Sequence, residues 1–177
     1  MSTYAPATNL TERLRALALR GLPRMYLPDR RRFVFRVRRI SEGYAVEGVS
    51  NRYTAMTLIG LASETPAVAA EVLHGETPRA VLDDLLEELP RIENIGDIAA
   101  ALWAAALFEH SAAAEAPAIL GDRLNRADEL PTVELSWVLT ALSLGPETRQ
   151  RHTLRERVAR LLLSAFGDQS HLFRHHV

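Results

Sequence analysis

The chain has no cysteine and no lysine, and only 6% of its 177 residues are aromatic. The lack of cysteine excludes disulfides and thiolate chemistry and fits a reducing, cytoplasmic compartment. No stretch reaches about 18 consecutive apolar residues, so we expect no membrane-spanning helix. The first residues lack a basic segment followed by an apolar run, so we also expect no secretory signal peptide.

Neither charge sign is in clear excess, because 21 basic residues, all arginine, nearly balance 22 acidic ones. The arginines crowd the first third of the chain, whereas acidic residues dominate from Glu64 to Glu134. This split is open to two interpretations: an anion- or RNA-binding N-terminal region, or a solvated hairpin and helix face that docks on the acidic middle. A nucleic-acid surface usually combines interleaved aromatics with a basic excess across the domain. We therefore favour the second interpretation and expect neither nucleic acid nor a membrane as a partner.

A short helical pattern occurs three times, at 52–61, 100–108 and 134–142. Aligned, the copies share equivalent positions one turn apart: Met56, Trp103 and Trp137, then Gly60, Leu107 and Ala141. Repeated helices indicate stacked helix pairs, each of which buries its apolar face on the next pair. We expect residues 1–177 to form one helical-array domain.

Capping and turn residues predict the elements along the chain. Strand-like segments at 32–39 and 44–49, joined by a turn at 41–43, predict one small β-hairpin near residues 32–49. The first helix, closed by Gly21, carries an apolar stripe of Leu10, Leu14, Leu17 and Ala18. Seven further helices are expected near 52–62, 66–74, 78–89, 96–110, 112–125, 132–144 and 147–166.

The repeated helices are apolar on most sides, whereas the helices between them carry one charged face. The first kind belongs inside a protein and the second kind outside. Short connections favour antiparallel neighbours. This alternation predicts an all-α fold of antiparallel helical hairpins forming a partial α/α toroid, with the β-hairpin packed on the helices.

Three features together resemble α/α-toroid proteins: the inner-helix pattern, the hairpin at 33–39 and the tail at 166–176. The similar families are the six-hairpin glycosidases and the squalene-cyclase/prenyltransferase repeat proteins. In those families a loop of the kind "polar, Gly, Leu-Phe" follows an inner helix and lines the central cavity. The closest matches here are the segments 21–28 and 170–175.

The resemblance implies a carbohydrate-active or related small-molecule-binding protein, glycoside hydrolase-like if it is an enzyme, with its site at the inner-helix ends. A full toroid of these families has more helices than this chain. We therefore expect either an N-terminal portion of a longer toroid or self-association, so that a missing half or a second copy covers the open inner wall. The alternative is a non-catalytic helical-repeat interaction scaffold.

Four residues are candidate catalytic groups: Asp97, His110, Asp168 and His171. Glycoside hydrolysis requires two carboxylates about 5 to 10 Å apart, and Asp97, Glu134 and Asp168 lie near repeated-helix ends or in the tail. His110 follows a glutamate at a helix end, where it suits either acid–base work or the helix dipole.

The candidate substrate-binding residues are aromatic or cationic: Arg52, Tyr53, Trp103, Trp137 and His175. Aromatic rings stack on sugars, although a repeated aromatic position also fits an inter-helix core. Arg52 suits a bidentate clamp on a carboxylate or phosphate, or a pair with Glu47.

No metal or cofactor is expected. His171 and His175 have helical i, i+4 spacing, but Leu172 occupies the place of the glutamate in a His-Glu-x-x-His motif. These histidines then line a cavity or belong to an ordinary tail. The segment Asp83-Asp84-Leu-Leu-Glu87 is similar to the diphosphate-binding motif of isoprenoid synthases. Because the carboxylates of that segment face outward from an apolar stripe, a terpene-cyclase-like protein is only our third hypothesis.

One observation separates the first two functions. An enzyme requires Asp97, His110, Tyr53 and His171 to face one cavity, whereas a scaffold leaves these helix ends scattered.

Overall fold

The computed structural model describes residues 9–126 and 129–177. Those residues form eight α-helices: α1 (Leu10–Gly21), α2 (Asn51–Leu61), α3 (Pro66–Val72), α4 (Pro78–Glu87), α5 (Ile95–Leu107), α6 (Ala112–Arg126), α7 (Thr132–Ser143) and α8 (Arg149–Ala165). They also form five strands: β1 (Tyr26–Leu27), β2 (Arg32–Ile40), β3 (Gly43–Ser50), β4 (Phe166–Gly167) and β5 (Leu172–Phe173). The fold is therefore predominantly helical, as predicted.

Side-chain caps fix where most of these helices begin. The preceding residue accepts a hydrogen bond from a backbone N–H of the first turn at six helices: Asn9, Ser50, Thr65, Thr77, Asn94 and Thr148. This bond satisfies one of the four N–H groups that a helix leaves without an internal partner. The same residue types are readable in the sequence, which is why the predicted helix starts agree with the structure to within a few residues.

The three repeated helices lie side by side, because α5 packs between α2 and α7. The helices α4, α6 and α8 pack against this row, and α6 also packs against α8. Within the row α5 is buried on most sides, as predicted for an inner helix, whereas α2 and α7 each leave one face exposed. Closure into a toroid stays a prediction.

The alignment of the three repeats needs one correction. The exposure pattern of α5 matches that of α2 in the predicted register, with Trp103 in the place of Met56. The pattern of α7 matches that of α2 only when it is shifted by one residue, so that Ser136 takes the place of Met56 and Trp137 that of Thr57. The one-residue shift arose because the sequence alignment matched the large side chains Met56 and Trp137 instead of the buried faces.

The predicted β-hairpin is confirmed as β2 and β3, which pair in antiparallel register from Phe33–Ser50 to Ile40–Gly43. A short strand that was not predicted, β1, adds to its edge and completes the order β1-β2-β3. The hairpin lies on α2, where the N–H of Phe33 donates to Thr54 Oγ1 at 2.9 Å. A second hairpin, β4–β5, follows α8 and was also not predicted.

The apolar stripe predicted for α1 is not buried. Leu10, Leu14 and Leu17 are 65%, 56% and 59% exposed. Instead α1 contacts the core through partly buried Leu19, and Arg15 forms a bidentate ion pair with Glu64. The prediction was wrong because the spacing of leucines defines a face of a helix without showing whether a neighbour covers it.

One buried arginine joins the last three helices. Arg151 is 1% exposed, and its guanidinium donates to the carbonyls of Ala141, Leu142 and Leu144 at the end of α7. A further N–H of the same group donates to Ala113 O in α6 at 2.6 Å. Burial lowers the pKa of Arg151 below its usual value. The arginine thus supplies donors to carbonyls that a helix end leaves unpaired.

Replacing this side chain is expected to destabilise the protein strongly. Arg151→Ala leaves several buried carbonyls without donors and is expected to cost about 3 kcal/mol of unfolding free energy. Arg155→Ala, on the same helix, removes a surface pair with Glu147 and is expected to cost about 0–1 kcal/mol. Urea unfolding followed by circular dichroism measures both losses, and equal losses would contradict this role for Arg151.

Candidate functional site

The first turns of the three inner helices meet in one polar cluster. Arg52 lies in the first turn of α2, Asp97 in that of α5 and Glu134 in that of α7. Asn94, the residue that caps α5, completes the group. The sequence proposed Arg52 and Asp97 as separate candidates, and the structure brings them together.

Arg52 is the centre of this cluster. Its Nε donates to Asp97 Oδ1 at 2.6 Å, and its Nη2 donates to Glu134 Oε1 at 3.0 Å and to Asn94 Oδ1 at 2.8 Å. The amide of Asn94 also donates to Glu134 Oε1 at 2.9 Å. One guanidinium therefore ties all three inner helices to each other, and the predicted pair with Glu47 does not form. Glu47 instead binds Arg36 and Arg38.

Helix dipoles explain why this cluster holds two carboxylates and one cation. Three helix N-termini each bring partial positive charge to the same place, and a carboxylate in the first turn offsets that charge. Burial lowers the pKa of Arg52, but its hydrogen bonds with Asp97 and Glu134 outweigh this effect and raise the pKa above its usual value. Glu134 is only 6% exposed, so its charge depends on Arg52 and Asn94 for compensation.

Close helix packing at the cluster requires a residue without a side chain. A Cβ atom on Gly96, in the first turn of α5, would lie 2.8 Å from Glu134 Cγ. Gly96 therefore lets the buried carboxylate of α7 approach α5 closely enough for Asn94 to reach it.

Of the three aromatic candidates, one is shown in contact with the cluster. The guanidinium carbon of Arg52 lies 5.0 Å from the ring centroid of Trp137, which is a cation–π distance. Tyr53 is 46% exposed, and Trp103 is partly buried against the core. A cleft of about 550 Å³ opens beside Asn94 and Glu134 and is lined also by Arg123, Arg126 and His176.

The other predicted catalytic residues lie away from this cluster. His110 is beyond the opposite end of α5, a helix of 13 residues, which places it about 20 Å from the cluster. Its Nδ1 accepts the N–H of Ala112, so its Nε2 carries the hydrogen directed at Asp83 Oδ1, 3.1 Å away. His110 lines a separate cavity of about 310 Å³.

The remaining candidates belong to the tail. Asp168 and His171 lie in the turn between β4 and β5, where His171 has a left-handed backbone with φ of 54°. The carbonyl of His175 accepts the N–H of Thr132 at the start of α7. The i, i+4 histidine pair thus lies on a hairpin and the strand-like segment after it, not on a helix.

The diphosphate-motif carboxylates take part in ion pairs of the fold. Asp84 binds Arg32, a side chain only 7% exposed, and Asp83 binds Arg79 and His110. Asp84 therefore faces the β-sheet, and the expectation that all these carboxylates face outward is wrong for that residue.

The N-terminal arginines also bind the acidic middle of the chain. Arg15 pairs with Glu64, Arg31 with Glu76 and Arg32 with Asp84. These contacts support the interpretation of a basic hairpin and helix that dock on acidic residues of the same chain.

Comparison of the chain with protein family models, with curated proteins and with solved structures gives no match. The geometry of the site therefore carries the functional argument.

Two further findings concern the described residues alone. None of their helices combines the length and the apolar character that crossing a membrane requires. Within residues 9–126 and 129–177, no group of three or more His, Asp or Glu side chains is arranged to hold a metal ion.

Sequence reasoning named Glu134 only among several carboxylates and did not single out Asn94 or Gly96. A signal for Glu134 was present, because α5 and α7 both carry a carboxylate at the third residue of the helix. No sequence signal pointed to the distance between Gly96 and Glu134, because that distance depends on how two helices pack.

The close approach at Gly96 gives a testable stability difference. Gly96→Ala places a methyl group against Glu134 and is expected to cost about 1–3 kcal/mol of unfolding free energy. Gly60→Ala, in helix α2 with open space around the new Cβ, is expected to stabilise the protein by about 0.5–1 kcal/mol. Chemical denaturation measures both, and a stabilising Gly96→Ala would disprove the close packing.

The Arg52–Glu134 pair can be tested by a double-mutant cycle. Arg52→Ala leaves Glu134 buried without its cation, and we expect a loss of about 2 kcal/mol, less than for a fully buried pair since Arg52 is partly exposed. Glu134→Gln relieves that charge, so the double variant is expected to be more stable than the sum of single losses by about 0.5–3 kcal/mol. Additive losses would show that the two side chains are not coupled.

Proposed function

We propose that the chain is a non-catalytic helical-array interaction module, and that the open side of its inner layer binds an apolar-faced α-helix of a partner protein. One observation carries this proposal. The polar groups at the inner-helix ends are bonded to each other, whereas one face of the inner helices exposes apolar side chains. We call this face the open side.

The open side is defined by exposed residues of the inner helices. Met56 and Leu107 are 39% and 40% exposed, and Tyr53 is 46% exposed. Gly60 is exposed one turn after Met56, and Ala106 is partly exposed beside Leu107. Small residues between large apolar ones permit a helix to approach closely, in the manner of helix-in-groove recognition.

A helix is the occupant that the structure supports, because one already lies at the edge of this surface. Leu19 and Leu22, in α1 and just after it, line an apolar groove of about 390 Å³ together with Tyr53, Met56 and Gly60 of α2. The chain's own α1 therefore shows the kind of element that fits against the open side.

The scattered positions of the candidate catalytic residues also support an interaction module. Tyr53 lines the groove beside α1, His110 lines a cavity at the far end of α5, and His171 lies in the tail hairpin. Asp97 and Glu134 are both engaged by one guanidinium. A general acid and base in glycoside hydrolysis instead flank a bond of the substrate.

Carbohydrate or related small-molecule binding stays a second candidate. It is favoured by the ring of Trp137 against Arg52 and by the polar cleft of about 550 Å³ beside the cluster. Aromatic platforms beside polar groups are typical of sugar sites.

Selection from a display library of amphipathic 16-residue helices, with the purified full chain as target, tests the proposed function. We expect enriched peptides with apolar residues at i, i+3, i+4 and i+7. Leu107→Arg is expected to weaken their binding roughly ten-fold or more, because charge is then placed in the apolar contact. The matched control Val46→Arg, on exposed strand β3, is expected to leave binding unchanged.

The proposal fails if no helical peptide is enriched, or if the enriched peptides bind Leu107→Arg as well as they bind the wild type. Saturable binding of an oligosaccharide on a glycan array, lost in Trp137→Ala, would establish the second candidate instead.

A further inference from the structure

The chain contains the same hairpin twice, 140 residues apart. The first hairpin is formed by β1 and β2, where Tyr26 pairs with Phe33. The second hairpin is formed by β4 and β5, where Phe166 pairs with Phe173. Each turn ends on a residue with left-handed backbone, Arg31 at φ 48° and His171 at φ 54°.

The aromatic pairs of the two hairpins are also arranged alike. The ring centroids of Tyr26 and Phe33 are 5.0 Å apart, and those of Phe166 and Phe173 are 5.2 Å apart. A helix also precedes each hairpin: α8 ends directly before β4, and a 3₁₀ turn at Leu22–Met25 separates α1 from β1. The two hairpins therefore share their register, their turn conformation and their aromatic pairing.

The surroundings of the two hairpins differ. Tyr26 and Phe33 are 3% and 1% exposed. Thr54 of α2 accepts the N–H of Phe33, whereas Tyr26 packs on the ring of His74 and donates to Glu76 Oε1 at 2.9 Å. Phe166 and Phe173 are 37% and 53% exposed. The second hairpin thus exposes an aromatic pair whose counterpart in the first hairpin is buried, with α2 packed on the strand that carries Phe33.

The second hairpin also borders an apolar cavity. A space of about 420 Å³ lies between α7, α8 and the tail and is lined by Val133, Ser136, Leu162 and Phe173, with Thr132, Arg174 and His175 at its polar edge. This space lies beside α7, the last helix of the inner row α2–α5–α7. A helix placed there would contact α7, α8 and the second hairpin together.

We propose that the second hairpin and the adjoining faces of α7 and α8 form a docking seat for an α-helix of a different protein, which packs there as α2 packs on β2 of the first hairpin. The seat is defined by Val133, Ser136, Leu162, Phe166 and Phe173. In α7, Val133 and Ser136 take the places of Tyr53 and Met56 in α2, so the seat lies at the α7 end of the open side. Leu107→Arg on α5 and Phe173→Arg on β5 therefore test the two proposals separately.

The chemistry of the occupant follows from the helix that packs on the first hairpin. The buried face of α2 consists of Thr54, Ala55, Leu58 and Leu61. Thr54 contacts Phe33 directly, and the leucines one and two turns later on the same face are buried. The seat therefore fits a helix with alanine or threonine near its N-terminus and leucines at the next turns of the same face.

The experiment uses the full chain, labelled with ¹⁵N, and a hydrocarbon-stapled peptide of residues 50–63, the α2 segment, with the staple on the exposed side. We expect saturable binding with chemical-shift changes at 166–173 and in α7. A peptide with Leu58→Glu and Leu61→Glu is the matched control and is expected not to bind.

Two protein variants locate the contact. Phe173→Arg is expected to weaken binding roughly ten-fold or more, because buried aromatic anchors dominate such contacts. Leu172→Arg adds the same charge one residue away, on the opposite face of the strand, and is expected to bind like the wild type. Both positions are exposed, so both variants are expected to fold, which circular dichroism checks.

Several results would overturn the proposal. They are the absence of saturable binding, equal binding by Phe173→Arg and the wild type, and shift changes at the first hairpin through displacement of α2. Concentration-dependent dimerisation of the chain that is abolished by Phe173→Arg would also overturn it, because the seat would then be covered by a second copy.

Discussion

The guanidinium of Arg52 is the contact on which the arrangement of the inner layer depends. It joins α2 to Asp97 of α5 and Glu134 of α7, residues far apart in the chain. Three helix N-termini that meet at one place repel each other through their dipoles, and the two carboxylates offset that charge. The carboxylates in turn require a cation, since Glu134 is almost fully buried. The polar cluster therefore both permits and fixes the parallel alignment of the three helices.

The interior of α5 complements this polar contact with close packing. Its buried face consists mostly of alanine, with Gly96 at the point where Glu134 approaches. Small side chains allow neighbouring helices on both sides to approach, whereas a larger residue would separate them. At the other end of α7, Arg151 binds the last carbonyls of the helix and links it to α6. The array is thus held by arginines at helix ends and by small residues between them.

This arrangement also explains where the molecule is open to others. Internal ion pairs occupy many of its charged groups, and the apolar surface remains on the open side and at the second hairpin. Exposed apolar patches of this kind are typical of interaction surfaces. The chain itself shows how such a surface is covered, because α2 packs on β2 of the first hairpin and α1 lies beside α2. Both proposals rest on these internal examples.

The sequence by itself determined the helices, their caps and the β2–β3 hairpin, because hydrophobic periodicity and capping residues act over a few neighbouring positions. Only the tertiary structure decided that Arg52 binds Asp97 and Glu134 instead of Glu47. It also decided that α1 leaves Leu14 exposed. The equivalence of the pairs Tyr26–Phe33 and Phe166–Phe173 likewise became visible only in the structure. Those facts depend on the relative placement of segments 45 to 140 residues apart. Local spacing carries no information about that placement, because it is set by how whole helices pack.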